Sequence, residues 1–586
     1  MKHCPTCNRP ESDDALIFCR VDGTTLITGP SAGDDSSPTR ILAGTETGET
    51  PARQTDPRPQ GTIAARNQRP GSTTRTKELK EGRSISSVEY VVSGIKQHKF
   101  FVAILVIMLV AGAIGLGMLL HARSTEVAID SIAVLPFDNQ NHDSNIDYLS
   151  DGVTESIMNN LAQLPNLRVS PRSSVFRYKG KETDPLAAGK ELGVRAVLTG
   201  RLQQRGDDVI ISAELVDLRD SKQLWGEQYQ RKMADLLSVQ REIAREITNN
   251  LRPKLSGPEQ NRATKQYTAN PEAYQLYLKG RFYWNKRTVE DFRRATPYFQ
   301  QAIDKDPNYA LAQSGLADSY ALLAAFSAEP PKELMPQAKA AAMKALALED
   351  NLAEAHASLG QILMYYDWDF NGAEREFKRA IELNPNYATA HHWHAENLSA
   401  LQRHDEALAE IRRALELDPL SLIINRVYGD MLLDARRYDE AIEQYRKTIE
   451  MDPNFPTTHA FLGRAYEAKG MYDQAVAEYL KFPGPRAFSP ETMTLMKEAY
   501  AKSGWTGFVR ARLTDLLERS KKEYVPAFSI ASWYARLGQK DEVFTWLEKA
   551  YQERNYQMTQ LKVRSEMDPV RSDPHYADLV RRVGLP

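Results

Sequence analysis

The chain has 586 residues, 26% of them charged, and a formal net charge of −2. That length exceeds one compact core and predicts several domains. The balanced charge excludes a global basic field, so no nucleic-acid partner is expected. All three cysteines, Cys4, Cys7 and Cys19, fall in the first twenty residues, which rules out an intrachain disulfide framework in the rest.

The opening stretch CPTCNRPESDDALIFCRVDGTTL puts two residues between Cys4 and Cys7, and two between Cys19 and Asp22. Two intervening residues let a tight turn present both ligands to one metal ion, and a second pair completes a tetrahedron. A segment of about 26 residues cannot enclose a hydrophobic core, so metal is the expected source of order. The stretch resembles a short bacterial zinc ribbon (CPxC…FCxxDG). That resemblance implies a structural zinc site over residues 1–26, with Cys4, Cys7 and Cys19 at ligand positions. Asp22 stands where such ribbons most often have the fourth Cys. A carboxylate can ligate zinc but is less typical of a closed structural site. A cluster of free thiols is the alternative reading.

Residues 27–99 are rich in Thr, Ser, Gly, Pro and Arg and read as a flexible tether. Its threonines are candidate phosphoacceptors. Residues 100–120, FFVAILVIMLVAGAIGLGMLL, carry no charge. At about 1.5 Å per residue such a helix spans roughly 30 Å, the thickness of a bilayer core. Lys96, His98 and Lys99 precede it and Arg123 follows, so the N-terminus is expected in the cytoplasm and the remainder outside, across a bacterial inner membrane. The pairs Ala111/Gly115 and Ala113/Gly117 would let two such helices approach, which allows a homodimer through this helix.

Residues 129–252 predict a compact α/β domain. IDSIAVLPF suits a buried strand, and DYLSDGVTESIMNNLAQL has helical spacing, with Ser150 and Asp151 as candidate caps. LRVSPRSSVF reads as a second strand and DPLAAGKELG as a short helix ended by Gly193. Two further strands meet at a turn over Arg205–Asp207, LWGEQYQRK reads as an edge strand, and Leu237–Leu251 as a helix. The phrases IAVLPF, YLSDGVTESI, VLTGRLQQRGDDVIISAELVD and LWGEQYQRK resemble the TolB-like or FlgO-like bacterial domain. The family implies a fold that sits between a membrane helix and tetratricopeptide repeats, and it brings no catalytic residue.

From residue 270 to 586 a repeat takes over. Pro385, Pro419 and Pro453 recur at intervals of 34 residues, as do Ala373, Ala407, Ala441 and Ala475. A fixed period of this length means one helical pair stacked on copies of itself. NGAEREFKRAIELNPN, DEALAEIRRALELDPL and DEAIEQYRKTIEMDPN resemble the second helix and terminal Pro of a tetratricopeptide repeat. About seven or eight helical pairs are expected, distorted after Pro483, with DPHYADLVRRVGL capping the last.

The architecture expected is therefore multidomain: zinc ribbon, one transmembrane helix, α/β domain and α-helical solenoid. First helices should line a concave face presenting Asp318, His392, Glu396, Arg426, Asp430, Arg464 and Glu467 as a groove for a protein or peptide partner. His391, His392 and His394 invite a metal reading, but packing is expected to take His391 and His394 inward. No Gly-rich phosphate loop with its Lys, no Gly-x-Ser-x-Gly and no His-Glu-x-x-His occurs. The expectation is a non-enzymatic membrane scaffold or receptor. The alternative is a transmembrane signalling protein whose outer part senses a ligand and whose ribbon recruits an effector.

Overall fold

A computed structural model describes residues 2–3, 10–11, 27–28, 103–112, 129–164, 167–181, 183–251, 267–326, 329–455, 457–481 and 488–586. The chain divides into two units, 1–111 and 112–586.

In the first unit, two-residue strands β1 (Lys2–His3), β2 (Pro10–Glu11) and β3 (Ile27–Thr28) pair antiparallel in the order β2-β1-β3. Cys4, Cys7, Cys19 and Asp22 lie outside the described residues, as does most of the linker. Of the expected membrane segment, 103–112 is helical, with Leu105, Ile107 and Leu109 at 58%, 66% and 66% exposure. The remainder of that segment lies outside the described residues. Among the described residues no helix is long and apolar enough to cross a membrane.

The second unit opens with an α/β domain. Strand β4 (Ser131–Val134), buried along its length, lies parallel between β6 (Arg168–Val169) and β7 (Ala196–Arg205), and the short β5 (Asp138–Asn139) also pairs with β7. From β7 an antiparallel meander runs through β8 (Asp208–Asp217) to β9 (Lys222–Lys232), the edge expected from the sequence. The β7–β8 turn uses Gly206 at φ 59°, a backbone conformation in which a Cβ would be strained. Helices α1 (Asp147–Ala162), α2 (Arg172–Phe176), α3 (Pro185–Glu191) and α4 (Leu236–Leu251) complete the domain. In α4 the stripe Val239, Ile243, Ile247 and Leu251 is buried, as its spacing predicts.

Two expectations here are corrected. Ser150 and Asp151 do not cap α1; they lie inside it, because a 3-10 turn capped by Asp143 leads straight into Asp147. Asp151 is instead buried, with its carboxylate 2.7 Å from the Lys179 ammonium. The second strand stops at Val169 and gives way to α2, because Pro171 has no N–H with which to extend the ladder.

The repeats follow as helical pairs: α5 (Pro271–Trp284) with α6 (Val289–Lys305), α7 (Ala310–Ala325) with α8 (Pro331–Leu348), and α9 (Ala353–Ile362) with α10 (Phe370–Leu383). Then come α11 (Ala388–Ala400) with α12 (His404–Leu417), α13 (Leu422–Asp434) with α14 (Tyr438–Met451), and α15 (Thr458–Ala468) with α16 (Tyr472–Tyr479). The distorted stretch is α17 (Pro490–Ser520), broken by non-helical backbone at Ser503 and Gly504. A last pair, α18 (Ala527–Arg536) and α19 (Lys540–Gln552), is capped by α20 (Pro574–Val583). The periodic alanines 373, 407, 441 and 475 are all buried. Within pairs a small residue on the first helix meets an aromatic ring on the second: a Cβ at Gly429 would lie 2.4 Å from Tyr445 Cε1.

The two parts of this unit share a core. Tyr274, Leu278 and Tyr309 of the repeats pack into the cluster built by the α/β domain, and a Cβ at Gly152 of α1 would lie 2.8 Å from Leu278 Cδ2. A second continuity was not visible in the sequence. Met558, Leu561, Met567 and Val570, from the segment between α19 and α20, are fully buried in the same cluster as Tyr365, Trp368 and Phe370.

Candidate functional site: the inner face of the repeats

The 34-residue register puts Glu396, Asp430 and Arg464 at equivalent positions of successive first helices, and likewise His392 and Arg426. The structure brings Glu396, Arg426, Asp430, Arg464 and Glu467 together on one face, and Asp318 lies two pairs earlier. Each carboxylate has an acquired partner. Tyr365 donates to Glu396, Tyr445 to Asp430 and Tyr479 to Glu467, all at 2.7 Å. Arg426 pairs with Asp430 one turn away and stacks on Phe461, 4.6 Å from the ring centre. His392 Nε2 stands 3.6 Å from Glu396.

That face is not an open groove. The segment 556–570 lies across its later half and brings Glu566 among Arg464, Arg536 and Arg564 at 3.7, 3.8 and 3.0 Å. Arg536 also grips Glu467 with two bonds of 2.7 and 2.9 Å. Burial alone would raise the Glu566 carboxyl, but the three guanidiniums hold it well below the usual carboxylate range. What remains is a cavity of about 20 Å³ between Glu396, Asp430, Asp434, Arg464, Thr559 and Gln560. By volume that is room for one water. The expectation of a groove that presents Arg426 and Arg464 to a partner is corrected: Arg426 is 9% exposed and the Arg464 side chain 11%.

The earlier half is approached by the α/β domain. Glu155 of α1 accepts from Arg281 at 2.7 and 3.1 Å and from Asn285 at 2.6 Å, and Arg172 stands 3.5 Å away. Ser173 of α2 donates to Asp418, at the end of α12. Asp318 is buried, accepts from Ser358, and has its carboxyl pushed up to about 6, with burial the main cause. At the junction a second cavity of about 70 Å³ is lined by Tyr267, Tyr274, Tyr277, Tyr309, Gln163 and Gln240.

His391 and His394 point inward, as expected from packing, and are 6% and 4% exposed. His391 bonds Glu410 and the Pro385 carbonyl. Among the described residues no group of three or more His, Cys, Asp or Glu is placed to hold a metal ion.

With this geometry in hand, the comparisons separate two regions. Residues 369–421, 394–456 and 432–486 match models of the tetratricopeptide repeat, and residues 128–246 match the model described as HilA/YgeH-like transcriptional regulator, second domain. The stacked pairs over 369–486 are thus tetratricopeptide repeats, a protein-interaction scaffold, and an α/β sheet domain precedes them. Among curated proteins, the chain is 37% identical over 190 residues to "Putative adenylate cyclase 3" of Rhizobium meliloti (strain 1021). The match covers 32% of this chain and 32% of that relative. Among solved structures, YrrB, a TPR protein with an unusual peptide-binding site, is 21% identical over 31% of this chain and 89% of its own, at a TM-score of 0.23. TTC0263, a thermophilic TPR protein of Thermus thermophilus, is 20% identical over 33% and 99%, at 0.29.

Proposed function

We propose that this chain is a non-enzymatic, single-pass membrane scaffold or receptor whose tetratricopeptide repeats hold a protein or peptide partner. The observation that supports the reading is the occupant of the inner face. A polypeptide segment, 556–570, already lies there with its Glu566 carboxylate among arginines and its apolar side chains buried. A face that holds one segment through a carboxylate and buried apolar side chains has the chemistry to hold another. The exposed apolar helix at 103–112 and the uncharged run 100–120 support anchorage by one helix, homodimerisation through it, and an inner-membrane location with the repeats outside the cytoplasm. The four motif phrases support a TolB-like or FlgO-like character for 129–252. The N-terminal ribbon would carry structural zinc on Cys4, Cys7 and Cys19, with Asp22 as a weaker fourth ligand.

Photo-crosslinking in intact cells tests the binding part. A photoreactive residue at Phe461, on the inner face of α15, should capture a partner that takes the place of the segment 556–570, whereas one at Lys447, exposed on α14, should not. Capture only from Gln228 on the exposed edge strand β9 would move the function to the α/β domain.

A further inference from the structure

Three histidines recur at one place in the repeats. His356, His391 and His459 lie on first helices, and each turns Nδ1 to a glutamate of the second helix of its own pair: Glu376, Glu410 and Glu478, all at 2.6 Å. The other ring nitrogen, Nε2, meets a main-chain carbonyl in the turn that ends the preceding pair: Asp350 at 2.9 Å, and Pro385 and Pro453 at 3.2 Å. Each imidazole therefore joins two helices of its own pair to the pair before it.

Both partners are acceptors, a carboxylate and a carbonyl. A neutral imidazole has one N–H and one lone pair, so it satisfies one of them and turns a lone pair on the other; only the imidazolium donates to both. We propose that His356–Glu376, His391–Glu410 and His459–Glu478 are a pH-graded set of fasteners that tightens the repeat array as pH falls through neutrality. The fourth copy is an internal control. At the equivalent position Asn425 donates to the Pro419 carbonyl at 2.9 Å and accepts from Gln444 at 2.9 Å, the same cross-link made without a titrating group.

At His356 the surroundings favour the charged form. On His356, burial opposes the charge, but the bonds to Glu376 and to the Asp350 carbonyl outweigh it and the ring's affinity for its proton is raised; Arg379, also on α10, pulls the other way. Glu410 is shared with His394, whose Nδ1 is 3.6 Å away. Burial alone would raise its carboxyl, yet the two histidines bring it to about 2, so it is ionised at neutral pH. Glu478 also accepts from Lys481 at 2.9 Å. A histidine whose proton is held more tightly in the folded chain adds stability that is fully present below its unfolded value of about 6.5 and is lost as pH rises through the folded value.

The test compares thermal unfolding of the full chain in detergent at about pH 6 and about pH 8.5, either side of the ordinary histidine range. The native chain should melt several degrees lower at the higher pH. Installing the Asn–Gln version at all three places (His356→Asn with Glu376→Gln, His391→Asn with Glu410→Gln, His459→Asn with Glu478→Gln) should remove most of that difference, and each single conversion part of it. Should the triple conversion not fold, the three single conversions decide. A pH difference as large in the converted chains as in the native one overturns the proposal.

Discussion

Arg536, on the first helix of the last pair, holds Glu467 of α15 with two hydrogen bonds of 2.7 and 2.9 Å. The same guanidinium stands 3.8 Å from Glu566. One arginine thus ties the last pair to the pair before it and to the segment that covers the inner face.

Removing the anion at this junction should be costly. Glu566→Ala leaves Arg464, Arg536 and Arg564 buried around no shared carboxylate, and breaking a buried ion cluster in this way costs roughly 3–5 kcal/mol. Thermal unfolding followed by circular dichroism should show a clear loss of stability. An unchanged melting point would mean that the Glu566 carboxylate contributes nothing to the fold's stability.

Packing gives a separate prediction. Gly463→Leu should destabilise the α15–α16 pair by roughly 1–3 kcal/mol or more, since even a Cβ there would lie 3.0 Å from the Tyr479 ring and 3.2 Å from the Ala475 carbonyl. Urea unfolding measures it; a native midpoint would show that the pair can spread to admit the side chain.

Asp318 predicts a pH effect of the same sign in a lower window. Its carboxyl is raised to about 6, so the folded chain binds that proton more tightly than the unfolded chain, where the value is about 3.9. Its contribution is therefore favourable at low pH and is lost as pH rises from about 4 to about 6. Asp318→Asn, which can still accept from Ser358, should raise the melting point at neutral pH and flatten that window. A lower melting point at neutral pH would show that Asp318 is held ionised and paired.

What the sequence made legible is what repeats. The alanines and prolines at fixed intervals located the pairs, and the register of Glu396, Asp430 and Arg464 placed them on one face. The His–Glu cross-links carried a signal too, since Glu376, Glu410, Gln444 and Glu478 keep the same 34-residue interval. The cover on that face was not legible. Arg464 and Glu566 are far apart in the chain, and a contact between two segments that share no period leaves no mark on either. The short helix α2 was missed because LRVSPRSSVF alternates like a strand, and its single Pro decides the outcome.

Zinc is testable on the full chain. Elemental analysis should find about one zinc per chain; Cys7→Ser should abolish it, while Asp22→Ala weakens it less, because a thiolate binds zinc more strongly than a carboxylate and water can fill the place of the weaker ligand. Full metal content in Cys7→Ser would remove the ribbon from the account.

Hydrogen exchange of the full chain, alone and with its co-purified partner, tests the central claim most directly. The account predicts added protection in the first helices of the repeats, α11, α13 and α15, and altered exchange in the segment 556–570 that lies over them. Protection confined to the α/β domain, with the repeats exchanging as they do in the free chain, would contradict it.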